Sequence, residues 1–108
     1  MSAARTLIKA PSSAKSGEII EIHATIGHDM ETGFRPGDDG KILPRNIITV
    51  FTCHYNDELV FEARLFQAVA SNPYIAFHTL VTVSGTLRLT WLGDRGFQHT
   101  KELTLQVV

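Results

Sequence analysis

Cysteine is almost missing from this 108-residue chain, where Cys53 stands alone. One thiol excludes an internal disulfide and any cysteine-based zinc cluster. A surplus of charge is missing as well. Ten Lys and Arg face eleven Asp and Glu, a formal charge of −1, so no basic excess is present to neutralise phosphates and nucleic acid is not expected as a partner. Long apolar runs are also lacking. Nothing approaches the ~20 residues of a membrane-spanning helix. Lys9 interrupts the N-terminal stretch from Met1 before the roughly 7–15 apolar residues of a secretory signal have accumulated. The chain is therefore expected to be soluble, to make no membrane contact and to be unable to direct its own export. Its length leaves room for one core, and residues 1–108 are read as a single domain.

What the sequence does contain favours strands. Seven Val, nine Ile and eleven Thr, with nine aromatics, make one third of the chain, and such side chains suit a pleated, half-buried surface. No helical period is sustained over three turns. Seven strands are expected: Thr6–Lys9, Glu18–Ile26, Asn46–Tyr55, Leu59–Leu65, Tyr74–Val83, Thr86–Leu92 and a last one carrying Leu103, Leu105 and Val107. Pro11-Ser12-Ser13 ends the first, Asn56-Asp57 is a tight turn, and Phe66–Asn72 is irregular or a single helical turn. Alternation of Ile20, Ile22, Ala24 and Ile26 with polar residues gives one wet face. Short strands at this spacing, punctuated by turn residues, describe an all-β sandwich. Its expected core is Ile20, Ile22, Phe51, Leu87, Leu89, Trp91, Leu103 and Leu105.

The nineteen residues from Gly27 to Arg45 form an unusually long connection, with Asp38-Asp39-Gly40 placed to fold it into a protruding hairpin. Loops beyond about 12–15 residues tend to be functional or disordered. Cys53 and His54 do not make a nucleophilic pair, because neighbours on a strand point to opposite faces. Cys53 shares its phase with Phe51 and Tyr55 and is expected to be an inert core thiol. His23, His28, His54, His78 and His99 lack the spacing of a metal site. Asp29, Glu31, Asp38 and Asp39 do not follow the calcium-loop pattern. No Gly-rich phosphate loop or Gly-x-Ser-x-Gly elbow occurs. These residues describe a binding module that needs no cofactor, rather than an enzyme.

Three segments carry a resemblance. His28-Asp29-Met30-Glu31-Thr32-Gly33-Phe34-Arg35, with Asp39-Gly40-Lys41 and Pro44, resembles the HPMETG-x-R…G-K…P segment of the SoxZ family. Asn72-Pro73-Tyr74-Ile75-Ala76-Phe77 resembles its NPY-x-x-F segment, and Ser84–Trp91 its SG-x-L-x-x-x-W strand. Asp29 stands where the family usually has proline, which frees φ at the start of the long loop. The resemblance runs from about Gly17 to Val107. It implies an immunoglobulin-like antiparallel β-sandwich that supplies no catalytic residue and forms one half of the SoxYZ carrier of bacterial sulfur oxidation. The partner SoxY would bear the sulfur intermediates on the cysteine of a C-terminal arm, and transient contacts with other Sox enzymes would follow. Periplasmic location would come by co-export with a signal-bearing SoxY. Self-association of the isolated subunit stays open. The competing reading is a stand-alone immunoglobulin-like module that binds a ligand or protein.

Within that frame the partner contact is expected at Met30, Glu31, Thr32, Gly33, Phe34 and Arg35, with Tyr74 nearby. Met30 and Phe34 are large apolar residues inside an otherwise charged loop, a pattern that suits an interface. Asp38, Asp39 and Arg35 would form its rim. The opposing expectation is that Phe34 folds back and seals the end of the sandwich.

Overall fold

A computed structural model describes residues 4–108. Met1 to Ala3, part of the stretch read for an export signal, lie outside the described residues. Eight strands run β1 (Thr6–Lys9), β2 (Ser13–Ala14), β3 (Ile19–Ile26), β4 (Ile48–Tyr55), β5 (Glu58–Arg64), β6 (Tyr74–Leu80), β7 (Gly85–Gly93) and β8 (Gln98–Val107), with one 3₁₀ turn at Asp94–Gly96. They form a three-stranded sheet in the order β1-β3-β6 and a five-stranded sheet in the order β2-β8-β7-β4-β5.

The extra strand is β2. The residues after Pro11 do end β1, but they also carry the chain to the other sheet, where Ser13 and Ala14 pair in parallel with Gln106 and Val107. Two residues carry no readable period, so this crossing has no signature in the sequence. The fifth expected strand is also shorter than its apolar content suggested. It stops at Leu80, because the N–H of Val81 turns to donate to the carbonyl of Glu18, and Tyr55 Oη takes the N–H groups of Thr82 and Val83 at 3.2 Å each.

Period-2 patterning puts the core between the sheets. Ile20, Ile22, Phe51, Leu87, Leu89, Trp91 and Leu105 are buried as expected, while Leu103 is only partly buried and packs against the core margin. Phe77 of the small sheet ties the two layers together. Its ring stacks on Phe61 at 4.5 Å and meets Phe51 at 5.7 Å, and Phe51 in turn packs on Trp91 at 5.1 Å. Cys53 lies in this layer, fully buried, and desolvation pushes its thiol pKa up to about 11. His54 sits on the opposite face of β4, so the two side chains never meet.

The Ser84–Trp91 segment is architectural. Asn56 and Asp57 both take positive φ at the β4–β5 turn, as a type I′ hairpin requires. Asn56 Oδ1 accepts the N–H of Thr86 at 3.0 Å. A Cβ on Gly85 would lie 1.8 Å from that oxygen, so only glycine leaves room for the Asn56 side chain.

Candidate partner-binding surface

The Gly27–Arg45 loop is pinned at several points. Glu31 and Asn46 exchange both backbone hydrogen bonds, at 2.9 and 2.8 Å. Further out, Leu43 N–H donates to the Arg35 carbonyl and Gly37 N–H to the Lys41 carbonyl, closing the small hairpin that Asp38-Asp39-Gly40 suggested. At its base Arg45 grips Asp94 through two bonds of 2.9 Å, and Asp94 Oδ2 also accepts the N–H of Ile47 at 3.1 Å. The Arg45 guanidinium, followed by that backbone N–H, holds the Asp94 carboxyl below its ordinary pKa.

The structure separates the two apolar side chains that the sequence reading put on one surface. Met30 is 4 % exposed and belongs to the core. It adopts φ 55°, its N–H donates to His28 Nδ1 at 2.9 Å, and its Sδ accepts the N–H of Ile48 at 3.2 Å. The left-handed backbone turns the side chain inward, a reversal that the pattern of residue types does not encode. Met30 is thus an anchor of the loop, not part of its exposed face.

Phe34 is the opposite case. It is 72 % exposed, so it does not fold back to seal the sandwich. Three neighbours hold the backbone beneath it. Thr32 Oγ1 accepts the N–H of Phe34 at 3.2 Å. Gly33 takes φ +85°, and a Cβ there would press within 2.9 Å of Arg45 Cβ. Glu31 pairs with Arg35 at 2.6 Å across the same turn, which lowers the carboxyl pKa and raises that of the guanidinium. Ile42, 57 % exposed, lies directly across the hairpin from Pro36. The loop therefore presents an apolar side chain on a braced backbone, beside a tip carrying Asp38 and Asp39.

Tyr74 belongs to a different surface. Asn72 does join the two motif segments, since its N–H donates to the His28 carbonyl at 2.7 Å and its Oδ1 accepts the N–H of His28 at 3.0 Å. His28 packs edge-on against Phe97 at 4.9 Å, and its partial burial lowers its pKa. A cleft of about 460 Å³ opens here, between Gly27, His28, Asp29, Asn46, Asn72 and Phe97. Beyond Pro73, however, Tyr74 turns its ring onto the outer face of the small sheet and bonds to His23. Arg45, Asn72 and Asp94 were not legible as site residues, because their partners lie 44 to 49 positions away. Among the described residues no three His, Cys, Asp or Glu side chains are grouped to hold a metal ion.

The family model described as "Sulphur oxidation protein SoxZ" matches residues 8–104, which include the whole of the long loop, the Asn72 turn and β7. The chain belongs to the SoxZ family. It is thereby a subunit of the Sox system of sulfur oxidation. No curated protein matches the chain. Solved structures share its fold at low identity. The sulfur carrier protein SoxY from Chlorobium limicola f thiosulfatophilum superposes with a TM-score of 0.64 at 12% identity, covering 94% of this chain and 74% of its own. A putative superoxide reductase from Thermotoga maritima gives 0.73 at 16% identity, covering 95% and 85%. A variant of the superoxide reductase (neelaredoxin) from Ignicoccus hospitalis gives 0.72 at 14%, covering 95% and 79%. At these identities the likeness is one of fold, shared by a SoxZ-family chain, a SoxY and two reductases.

Proposed function

We propose that the chain is the non-catalytic subunit of a SoxYZ-type carrier, docking SoxY and helping to present its cysteine-bound sulfur intermediates to the thiosulfate-oxidising enzymes. The observation that carries this reading is the SoxZ family match over residues 8–104. Phe34 supplies the contact, with exposed Ile42 on the returning side of the hairpin, while Glu31, Thr32, Gly33 and Arg35 fix its direction. An aromatic side chain on an already ordered loop loses little entropy on binding, which suits it as an anchor. Asp38 and Asp39 act at the rim, on association rate and salt dependence. Periplasmic location by co-export with a signal-bearing SoxY belongs to the same proposal, as do transient contacts with other Sox enzymes.

Co-expression with the cognate SoxY followed by sizing is the direct test, and a one-to-one complex is expected. Phe34→Ala should weaken that complex at least tenfold, about 1.4 kcal/mol, with its melting temperature nearly unchanged. A chain that elutes alone in the presence of SoxY contradicts the reading. An unchanged affinity in Phe34→Ala moves the contact away from the loop.

A further inference from the structure

The outer face of the small sheet carries a second constellation. Register brings Leu7 of β1, Thr25 of β3 and Tyr74 of β6 into one row, and Lys9, His23 and Ala76 into the next. Leu7, Lys9, His23, Thr25 and Tyr74 line an open groove of about 450 Å³. Below it Glu21 bridges two imidazoles, touching His23 Nε2 with one carboxylate oxygen and His78 Nε2 at 2.9 Å with the other. Lys9 forms no ion pair among the described residues. Arg5, the exposed residue just before β1, is the other charged residue at this end of the face.

The hydrogen bonds fix how this set responds to a proton. A ring nitrogen that faces a carboxylate carries the hydrogen, so neutral His23 holds its proton on Nε2 and accepts at Nδ1. Its Nδ1 partner is the Tyr74 hydroxyl, whose hydrogen then points inward and whose lone pairs face the groove. Protonation of His23 reverses that bond. Nδ1–H now donates to Tyr74 Oη, and the phenolic hydrogen is released toward the groove as a donor. The charge changes with it: each proton added to an imidazole makes the face more positive.

We propose that this groove is a proton-gated site for a sulfur oxyanion, bound by the Lys9 ammonium and the Thr25 and Tyr74 hydroxyls when His23 and His78 are protonated. The choice of anion rests on the sulfur-oxidation reading, since oxidised sulfur exists in water as anionic oxyacids. The site itself rests on the geometry. The same terminal chemistry, a sulfonate-like head, is offered by a free oxyanion and by one esterified to a partner's cysteine sulfur.

Amide shifts of the isolated, isotope-labelled chain test this, titrated with sodium sulfate, sodium thiosulfate and cysteine S-sulfonate at constant ionic strength. Saturable shifts are expected at Leu7, Thr25 and Tyr74, with affinity about tenfold higher at an acid than at an alkaline pH. Lys9→Gln should weaken binding at both pH values. Tyr74→Phe should lose most of the acid-side gain, and His23→Asn with His78→Asn should abolish it; all are exposed or half-exposed positions whose melts check folding. Tighter binding of cysteine S-sulfonate than of the free ions assigns the site to the carrier-borne group, and equal binding assigns it to free oxyanion. Shifts that do not saturate, or a pH gain that survives the double histidine substitution, overturn the proposal. Since SoxY takes no part in these titrations, their failure is distinct from failure of the pairing with SoxY.

Discussion

Cys53 shows how environment overrides reactivity. A thiolate is the nucleophile, and a thiol whose pKa is pushed up to about 11 by burial supplies very little of it at neutral pH. Cys53→Ala is accordingly expected to leave sulfur transfer by a reconstituted carrier unchanged, and thiol reagents should label the native protein only on the timescale of its unfolding. Rapid stoichiometric labelling would place Cys53 at the surface. Trp91 makes the complementary case, since its ring is fully buried and packs on Phe51. Trp91→Ala should cost about 3–5 kcal/mol, read from urea unfolding, and native tryptophan emission should be blue-shifted and poorly quenched. Both residues were legible in the sequence because the period of two alone decides their side of a strand. Met30 was not, because a single left-handed residue reverses a side chain without changing any pattern.

At the scale of the element, the base of the long loop depends on Arg45, Asp94 and the N–H of Ile47. The Asp94 carboxyl binds its proton less readily in the fold than in the unfolded chain. Its contribution to stability is therefore complete above the unfolded carboxyl pKa of about 3.9 and is lost as pH falls below that value toward the depressed folded one. Asp94→Asn is expected to flatten the acid limb of the stability profile below about pH 4 while leaving stability near neutrality less affected than Trp91→Ala does. Chemical melts across that range measure it, and an unaltered acid limb would assign the loop's hold to other contacts. The strands other than β2 were readable because each repeats its signal over several residues. The loop's conformation was not, since Arg45–Asp94 and His28–Asn72 are single contacts between residues far apart in sequence, and nothing local announces them.

For the whole molecule, the sandwich was legible from composition and turn spacing, while the division of labour between its surfaces was not. Phe34 stands on a braced loop at one place and Tyr74 on a sheet face at another, although the expected contact had Tyr74 beside the Met30–Arg35 segment. The step that had no sequence signal, the passage from β1 to β2, has a mechanical meaning. Ser12 and Ala14 accept the N–H groups of Gln106 and Val108 at 3.0 Å each, on a strand that runs parallel to β8. Tension drawn through the residues before β2 and after β8 would drag those strands lengthwise past one another, so the bonds between them would share the strain and yield together instead of opening one at a time like a zip. Whatever pulls on this chain from its two ends meets a latch before it reaches the core.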